Sequence, residues 1–111
     1  MIRVTVKNLH YKDLEVLQAE LDIYNKYVAV KALQNDFLNT IITFDIVNSL
    51  YFVLRTKIEQ GREQYIVSFS ISQAATILKC CNFNRMDREL YTKHVMTKLG
   101  IDLDKQLKDL V

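Results

Sequence analysis

The sequence predicts an α+β fold that is predominantly helical, with a small two- or three-stranded sheet beside a helical bundle. Half of the 111 residues are apolar, and the chain contains two glycines and no proline. Because glycine and proline interrupt helices, their scarcity favours long continuous helices. Two stretches, near Val4 and Val67, show the two-residue alternation of a half-buried strand. Helical spacing of apolar residues fills most of the remainder, so helices should outweigh strands.

The length of the chain predicts one compact domain with a core of its own. We divide it into a strand and long helix over 1–36, an apolar centre and strand over 37–71, and a basic helical segment over 72–111. The longest uncharged window, 64–78, is too short to span a bilayer, and residues 1–13 lack a secretory apolar run. The two cysteines are adjacent, and a disulfide between neighbours would be strained, so a reducing compartment is expected. We therefore expect a soluble cytoplasmic protein without a membrane partner.

The first strand and helix follow from a change of period. Residues 2–7 alternate between apolar and polar, and the strand they form is expected to pair with a strand at 65–71. From about residue 11 to residue 34, apolar side chains recur at intervals of three and four. They are Leu14, Leu17, Leu21, Tyr24 and Val28. This stripe has two interpretations, packing on the protein's own core or forming a homodimer interface, and fewer than three heptads favour the core.

The densely apolar segment 37–58 is expected to follow a turn at Asn35 and Asp36 and also has two interpretations. As a helix over 45–60 it would be capped by Asp45 and ended by Gly61, with residues 40–44 extended. As a strand it would continue through a hairpin loop into the next strand. The capping residues favour the helix. In either case the apolar content of the segment exceeds what one small core needs, which predicts a patch for a partner protein.

The strand over 65–71 buries alternate side chains and leads directly into a helix over 72–81 that Ser72 is expected to cap. A polar turn near Asn82 and Asn84 separates it from the next helix. The buried face of the strand is predicted to carry Tyr65, Val67, Phe69 and Ile71.

Two further helices are expected after that turn. One covers 85–99 and is closed by Gly100, which can take the left-handed conformation typical of a helix end. The other is a short amphipathic helix over 101–111, with Asp102 as its cap.

Positive charge is concentrated in one part of the chain. The net charge is +2, yet segment 72–100 alone holds five basic side chains against two acidic ones. A short helix, a polar turn and a longer basic helix resemble a helix-turn-helix, and their order resembles the start of a winged-helix domain without a clear wing. This predicts a DNA-binding regulator whose helix 85–99 lies in or across the major groove. The expected contacts to double-stranded DNA are Lys79, Arg85, Arg88, Lys93, His94 and Lys98.

Two other function classes remain open. A protein–protein interaction module, an adaptor or an inhibitor of a larger protein, would use the apolar patch of 37–58 or the C-terminal helix. A small enzyme would use Cys80 or Cys81 with His94, but no local motif supports it. Adjacent cysteines do not have the spacing of a zinc site, and the single glycines form no phosphate loop, so no metal or cofactor is expected.

Overall fold

The computed structural model describes residues 2–32, 37–83 and 87–111. Within them lie two strands and four helices, in an α+β fold that is mostly helical, as predicted. In chain order these are β1 (Arg3–His10), α1 (Tyr11–Ala32), α2 (Phe37–Glu59), β2 (Gln64–Ser70), α3 (Ile71–Cys81) and α4 (Leu90–Lys108).

The two strands form one antiparallel sheet, which confirms the predicted pairing. Val4 lies opposite Phe69 and Val6 opposite Val67, so each strand turns its apolar face to the same side. The register shifts between Val6 and Leu9, where β1 contains an irregularity of the bulge type. Asn8, inside that irregularity, has a positive φ of 60°, a conformation that asparagine tolerates better than most residues.

Helix α1 supplies one side of the core. Leu14, Leu17 and Leu21 are almost completely buried against the rest of the chain. Tyr24 packs half-buried beside them and meets the ring of Phe83, with 5.8 Å between ring centroids. The three leucines therefore belong to the protein's own core, and their assignment to a homodimer interface is wrong, because they are not accessible to a second copy. The last member, Val28, is half-buried.

The helical interpretation of the apolar centre is confirmed, although the helix is longer than expected. Helix α2 begins at Phe37, so residues 40–44 are helical rather than extended, and Asp45 is an exposed mid-helix residue rather than a cap. The fully buried Leu50 and Leu54 hold one face of the helix in the core. Gly61 ends the segment as predicted, with a φ of 65° and an N–H that donates to Ile58. The turn predicted at Asn35 and Asp36 lies outside the described residues.

Helix α3 is capped two residues earlier than expected. The hydroxyl of Ser70 accepts a bond from the backbone N–H of Gln73, and the Gln73 side chain accepts one from the N–H of Ser70. This reciprocal pair is a capping box, which satisfies two backbone donors at once. Ser72 instead lies in the first turn, where its carbonyl accepts a bond from the Thr76 hydroxyl.

Helix α4 differs most from its prediction. It begins at Leu90 rather than Arg85 and runs without a break to Lys108, so Gly100 does not end it and Asp102 does not cap a new helix. The reason is packing between α3 and α4. A Cβ at Gly100 would lie 3.2 Å from the Cβ of Cys81, so the glycine allows a close approach of the two helices.

The six elements enclose a common core, to which every helix and both strands contribute. The radius of gyration is 13.7 Å, close to the value of about 13 Å expected for a globular chain of this length. The fold is thus compact and globular, as expected of a soluble protein.

Candidate functional site

The basic residues predicted to bind DNA are not gathered on one surface. Lys79 is exposed on α3, and Lys93, His94 and Lys98 are exposed on α4. At about 100° per residue, Lys93 and Lys98 point about 140° apart around the helix axis, whereas His94 and Lys98 share one side. Arg85 lies outside the described residues. The structure therefore divides the predicted set between at least two directions.

Arg88 serves the fold rather than a surface. Its side chain is 9% exposed and forms an ion pair with Glu20 of α1, which is 4% exposed. The same guanidinium donates to the carbonyl oxygens of Cys80 at 2.9 Å and Cys81 at 3.3 Å. These carbonyls belong to the last turn of α3, beyond the reach of further helical N–H groups, and the Cys80 carbonyl also accepts the backbone N–H of Phe83 at 3.2 Å. Contrary to the prediction, Arg88 is not available to a phosphate or a base.

The connection between α3 and α4 is longer than a helix-turn-helix requires. Helix α3 ends at Cys81 and α4 begins at Leu90, so eight residues separate them. The compact motif joins its helices by a turn of about three or four residues. The two helices do pack against each other, but the helix-turn-helix assignment stays a prediction.

The cysteines and His94 are not brought together. Cys80 is fully buried, and Cys81 lies against Gly100 on the side of α4 that faces α3. His94 lies on the side that faces β1. Burial raises the pKa of the Cys81 thiol to about 12, although the nearby Arg88 acts in the opposite direction. At neutral pH this thiol is therefore protonated, which is not the state of an activated nucleophile. Within the described ranges, no three His, Cys, Asp or Glu side chains could share a metal ion.

The most unusual surface is on the first two turns of α2. Four large apolar side chains there are about half to two thirds exposed, and we call them the α2 patch. They are Phe37 at 66%, Leu38 at 68%, Ile41 at 48% and Ile42 at 57%. Spaced one and four residues apart, they form a continuous strip on one side of the helix. Asp45 lies one turn further on, and on this side of the helix the next large exposed apolar side chain is Phe52, which is 65% exposed.

The composition of α2 explains why this surface is so apolar. By length and composition the helix could cross a membrane, since its most apolar window has a mean hydropathy of 1.5 and only 22% of that window is buried. Core helices of soluble proteins meet the same criterion, and in this fold Leu50 and Leu54 anchor one face of α2. The opposite face at the beginning of the helix remains uncovered by any described part of the chain. Contiguous exposed apolar surface of this kind marks sites of association.

A second concave feature lies between β1 and α4. This β1–α4 groove encloses about 500 Å³. Its walls come from residues 5–10 of β1 and from one side of α4, with Asp13 of α1 also contributing to the lining. The Tyr91 hydroxyl donates to Oδ1 of Asp13 at 2.6 Å, and this bond, the largest cause, raises the pKa of Tyr91 to about 12. Gln106 donates to the Thr5 carbonyl at 2.9 Å and so joins α4 to the middle of β1.

The sequence indicated two of the groove's polar residues, His94 and Lys98, but not the groove. Its other wall contains Lys7 and His10, which belong to the opposite end of the chain. No local motif links the two segments. The sequence therefore carries no signal of the groove.

Comparison with known protein families, with curated proteins and with solved structures gives no match, so the proposals below rest on the geometry of these surfaces.

Proposed function

We propose that the protein is a small, non-enzymatic, cytoplasmic binding module that docks through the α2 patch into an apolar cleft of a larger partner protein. The observation that carries the proposal is the exposure of four large apolar side chains on two successive turns of a helix. Phe37 and Leu38 are the most exposed of the four. An amphipathic helix that lays such a strip into a groove is a common mode of protein recognition.

Two further features support a protein partner. Asp45 is the only charged side chain between Phe37 and Leu54, so the patch offers little to a strongly charged ligand such as DNA. The opposite face of α2 is held by buried leucines, so the helix is already formed and ordered before it docks. Preorganisation of this kind reduces the entropy that binding costs.

The test replaces one residue of the patch with a charge. Leu38→Asp places a carboxylate at the centre of the strip, and Thr56→Asp is its matched control. Thr56 is also exposed and lies 18 residues later, which is about five full turns, so both positions point in the same direction from α2. Thermal unfolding of both variants establishes that the fold is retained before binding is compared.

With partners recovered by crosslinking from the protein's own cell extract, we expect Leu38→Asp to lose the complex and Thr56→Asp to keep it. Loss of a central apolar anchor costs about 2 kcal/mol or more, which is a decrease in affinity of about 30-fold. The wild-type complex should be almost insensitive to salt, because apolar contacts dominate. A partner bound equally well by both variants would exclude the patch. Binding to protein-free lipid vesicles, or self-association that Leu38→Asp abolishes, would identify a membrane surface or a homodimer instead.

DNA binding by a regulator is the second candidate, and the exposure of four of the six predicted basic residues supports it. Lys79, Lys93, His94 and Lys98 are all exposed. If three or four of them contact phosphates, the logarithm of the affinity for mixed-sequence duplex DNA should fall against the logarithm of salt with a slope of about −3 to −4. Combined reversal of Lys93 and Lys98 to Glu should remove that binding. An absence of binding at low salt would refute this candidate and leave the protein partner.

A further inference from the structure

The β1–α4 groove has the size and lining of a small-molecule site. At about 500 Å³ it falls within the range of about 300 to 1,000 Å³ that ligand pockets occupy. Four apolar residues contribute to its lining, two from each wall. They are Val6 and Leu9 of β1 and Val95 and Leu99 of α4. An apolar lining with a few polar groups at its rim is the usual composition of a ligand pocket.

The wall formed by β1 is irregular where it borders the groove. The register of the sheet shifts between Val6 and Leu9, and Asn8 adopts a left-handed conformation. Both Lys7 and Asn8 line the groove. A left-handed conformation costs a non-glycine residue of order 1 kcal/mol, and bulges commonly redirect side chains next to binding sites. The irregularity is thus located at the groove rather than elsewhere along the sheet.

The polar rim has unpaired positive charge and paired negative charge. Asp13 already accepts bonds from the Tyr91 hydroxyl and from the backbone N–H of His10, at 2.6 and 3.0 Å. Asp102, the other acidic residue of the lining, accepts a bond from Gln106 at 3.1 Å. Within residues 2–32, 37–83 and 87–111, by contrast, neither Lys7 nor Lys98 forms an ion pair. The side chains free to meet a ligand are therefore cationic.

We propose that the β1–α4 groove binds a small organic anion, in which an acidic group meets Lys7 and Lys98 while an apolar body of about one or two aromatic rings lies on the valine and leucine walls. His94, one turn before Lys98 on the same side of α4, adds a hydrogen-bond donor near the acidic group. This site is separate from the α2 patch and does not depend on it. It would give the binding module a ligand of its own.

The test uses a fluorescent probe, 8-anilinonaphthalene-1-sulfonate, and its uncharged analogue N-phenyl-1-naphthylamine. Both carry the same apolar rings, so a preference for the sulfonate measures the contribution of the anionic group. Backbone amide shifts in ¹H–¹⁵N spectra locate the probe, and fluorescence titration gives its dissociation constant. We expect the largest shifts at Val6, Leu9, Val95 and Leu99, and tighter binding of the sulfonate than of the neutral analogue.

Charge reversal then identifies the lysine. Lys98→Glu should weaken sulfonate binding by about tenfold, because an attraction becomes a repulsion at the rim. Lys93→Glu makes the same change of charge on the same helix but outside the groove, and should alter the dissociation constant by less than about twofold. The inference is overturned if the two variants are equally weakened, if the neutral analogue binds as tightly, or if the shifts fall on the α2 patch. A Leu38→Asp variant should bind the probe normally, so failure of this site and failure of the proposed function give different results.

Discussion

The ion pair between Arg88 and Glu20 makes the sharpest prediction about stability. Arg88→Met keeps most of the side-chain volume but removes the charge and every donor. Glu20, which is 4% exposed, then remains as a buried carboxylate without this partner, and the carbonyls of Cys80 and Cys81 lose their bonds from the guanidinium. Removing one member of a buried pair costs about 3 to 5 kcal/mol.

That cost is a large part of the stability of any domain of this size, which is typically about 5 to 15 kcal/mol. At about 4 °C per kcal/mol, the melting temperature should fall by about 12 to 20 °C. Urea denaturation followed by circular dichroism measures the free energy of unfolding directly. The matched control is Arg55→Met, because Arg55 pairs with Glu59 four residues on, and these side chains are 60% and 66% exposed. Its cost should be at most about 0.5 kcal/mol.

A double variant distinguishes the cost of breaking the ion pair from the cost of lost packing. Replacing both charged residues, as in Glu20→Leu with Arg88→Met, removes the buried carboxylate together with the guanidinium and should recover about 2 kcal/mol relative to Arg88→Met alone. If Arg88→Met is no more destabilising than Arg55→Met, the pair does not contribute as the structure indicates. If the double variant is as unstable as the single one, the loss arises from the carbonyl bonds and packing rather than from the buried charge of Glu20.

Three further predictions concern α4 and its neighbours. Burial raises the pKa of Cys81 from its ordinary 9.0 to about 12, so the stabilisation from its protonated thiol is complete below pH 9.0 and is lost as the pH approaches 12. The urea midpoint of the wild type should fall over this pH window, and that of Cys81→Ala should fall less. Equal losses in the two proteins would contradict this. The hydrogen bond to Asp13 raises the pKa of Tyr91 from 10.0 to about 12. In Asp13→Asn, phenolate absorbance should therefore show Tyr91 ionising at lower pH than in the wild type. An unchanged titration would show that the bond is not formed. Gly100→Leu should lower the free energy of unfolding in urea by about 1 to 3 kcal/mol, since even a Cβ at this position would lie 3.2 Å from the Cβ of Cys81. Gly100→Ala should be nearly neutral, because a helix-propensity gain of about 1 kcal/mol offsets the tight contact. Similar stabilities for the two variants would refute the close approach of the helices.

The elements that the sequence predicted well are those defined by local periodicity. The alternation around Val4 and Val67 identified both strands, and the spacing of Leu14, Leu17 and Leu21 identified α1, because the period of apolar residues depends only on near neighbours. The end of α2 shortly before Gly61 was also predictable, since a left-handed residue after a helix is a local requirement of the chain.

The incorrect predictions concern residues whose role depends on contacts with distant parts of the chain. Gly100 looked like a helix end, but its role is set by Cys81, which packs against it from another helix. Arg88 looked like a surface cation, but Glu20, 68 residues earlier in the chain, draws it into the interior. A single charged residue gives no sign of such a partner in advance. For the same reason the groove escaped prediction, since its walls come from opposite ends of the sequence, whereas the α2 patch was foreseen from apolar density alone.

The sheet also has a consequence for how the chain folds during its synthesis. Arg3 of β1 bonds to the carbonyl of Ser68, which is 65 residues later. At a translation rate of about 5 to 20 residues per second, β1 leaves the ribosome about 3 to 13 s before its partner strand emerges. During that interval Val4, Val6 and Leu9 have no sheet to join, although they are buried in the finished protein. Although β1 is made before β2, it is thus ordered only after β2 is available, and nascent chains should be most prone to aggregation or chaperone capture until β2 emerges.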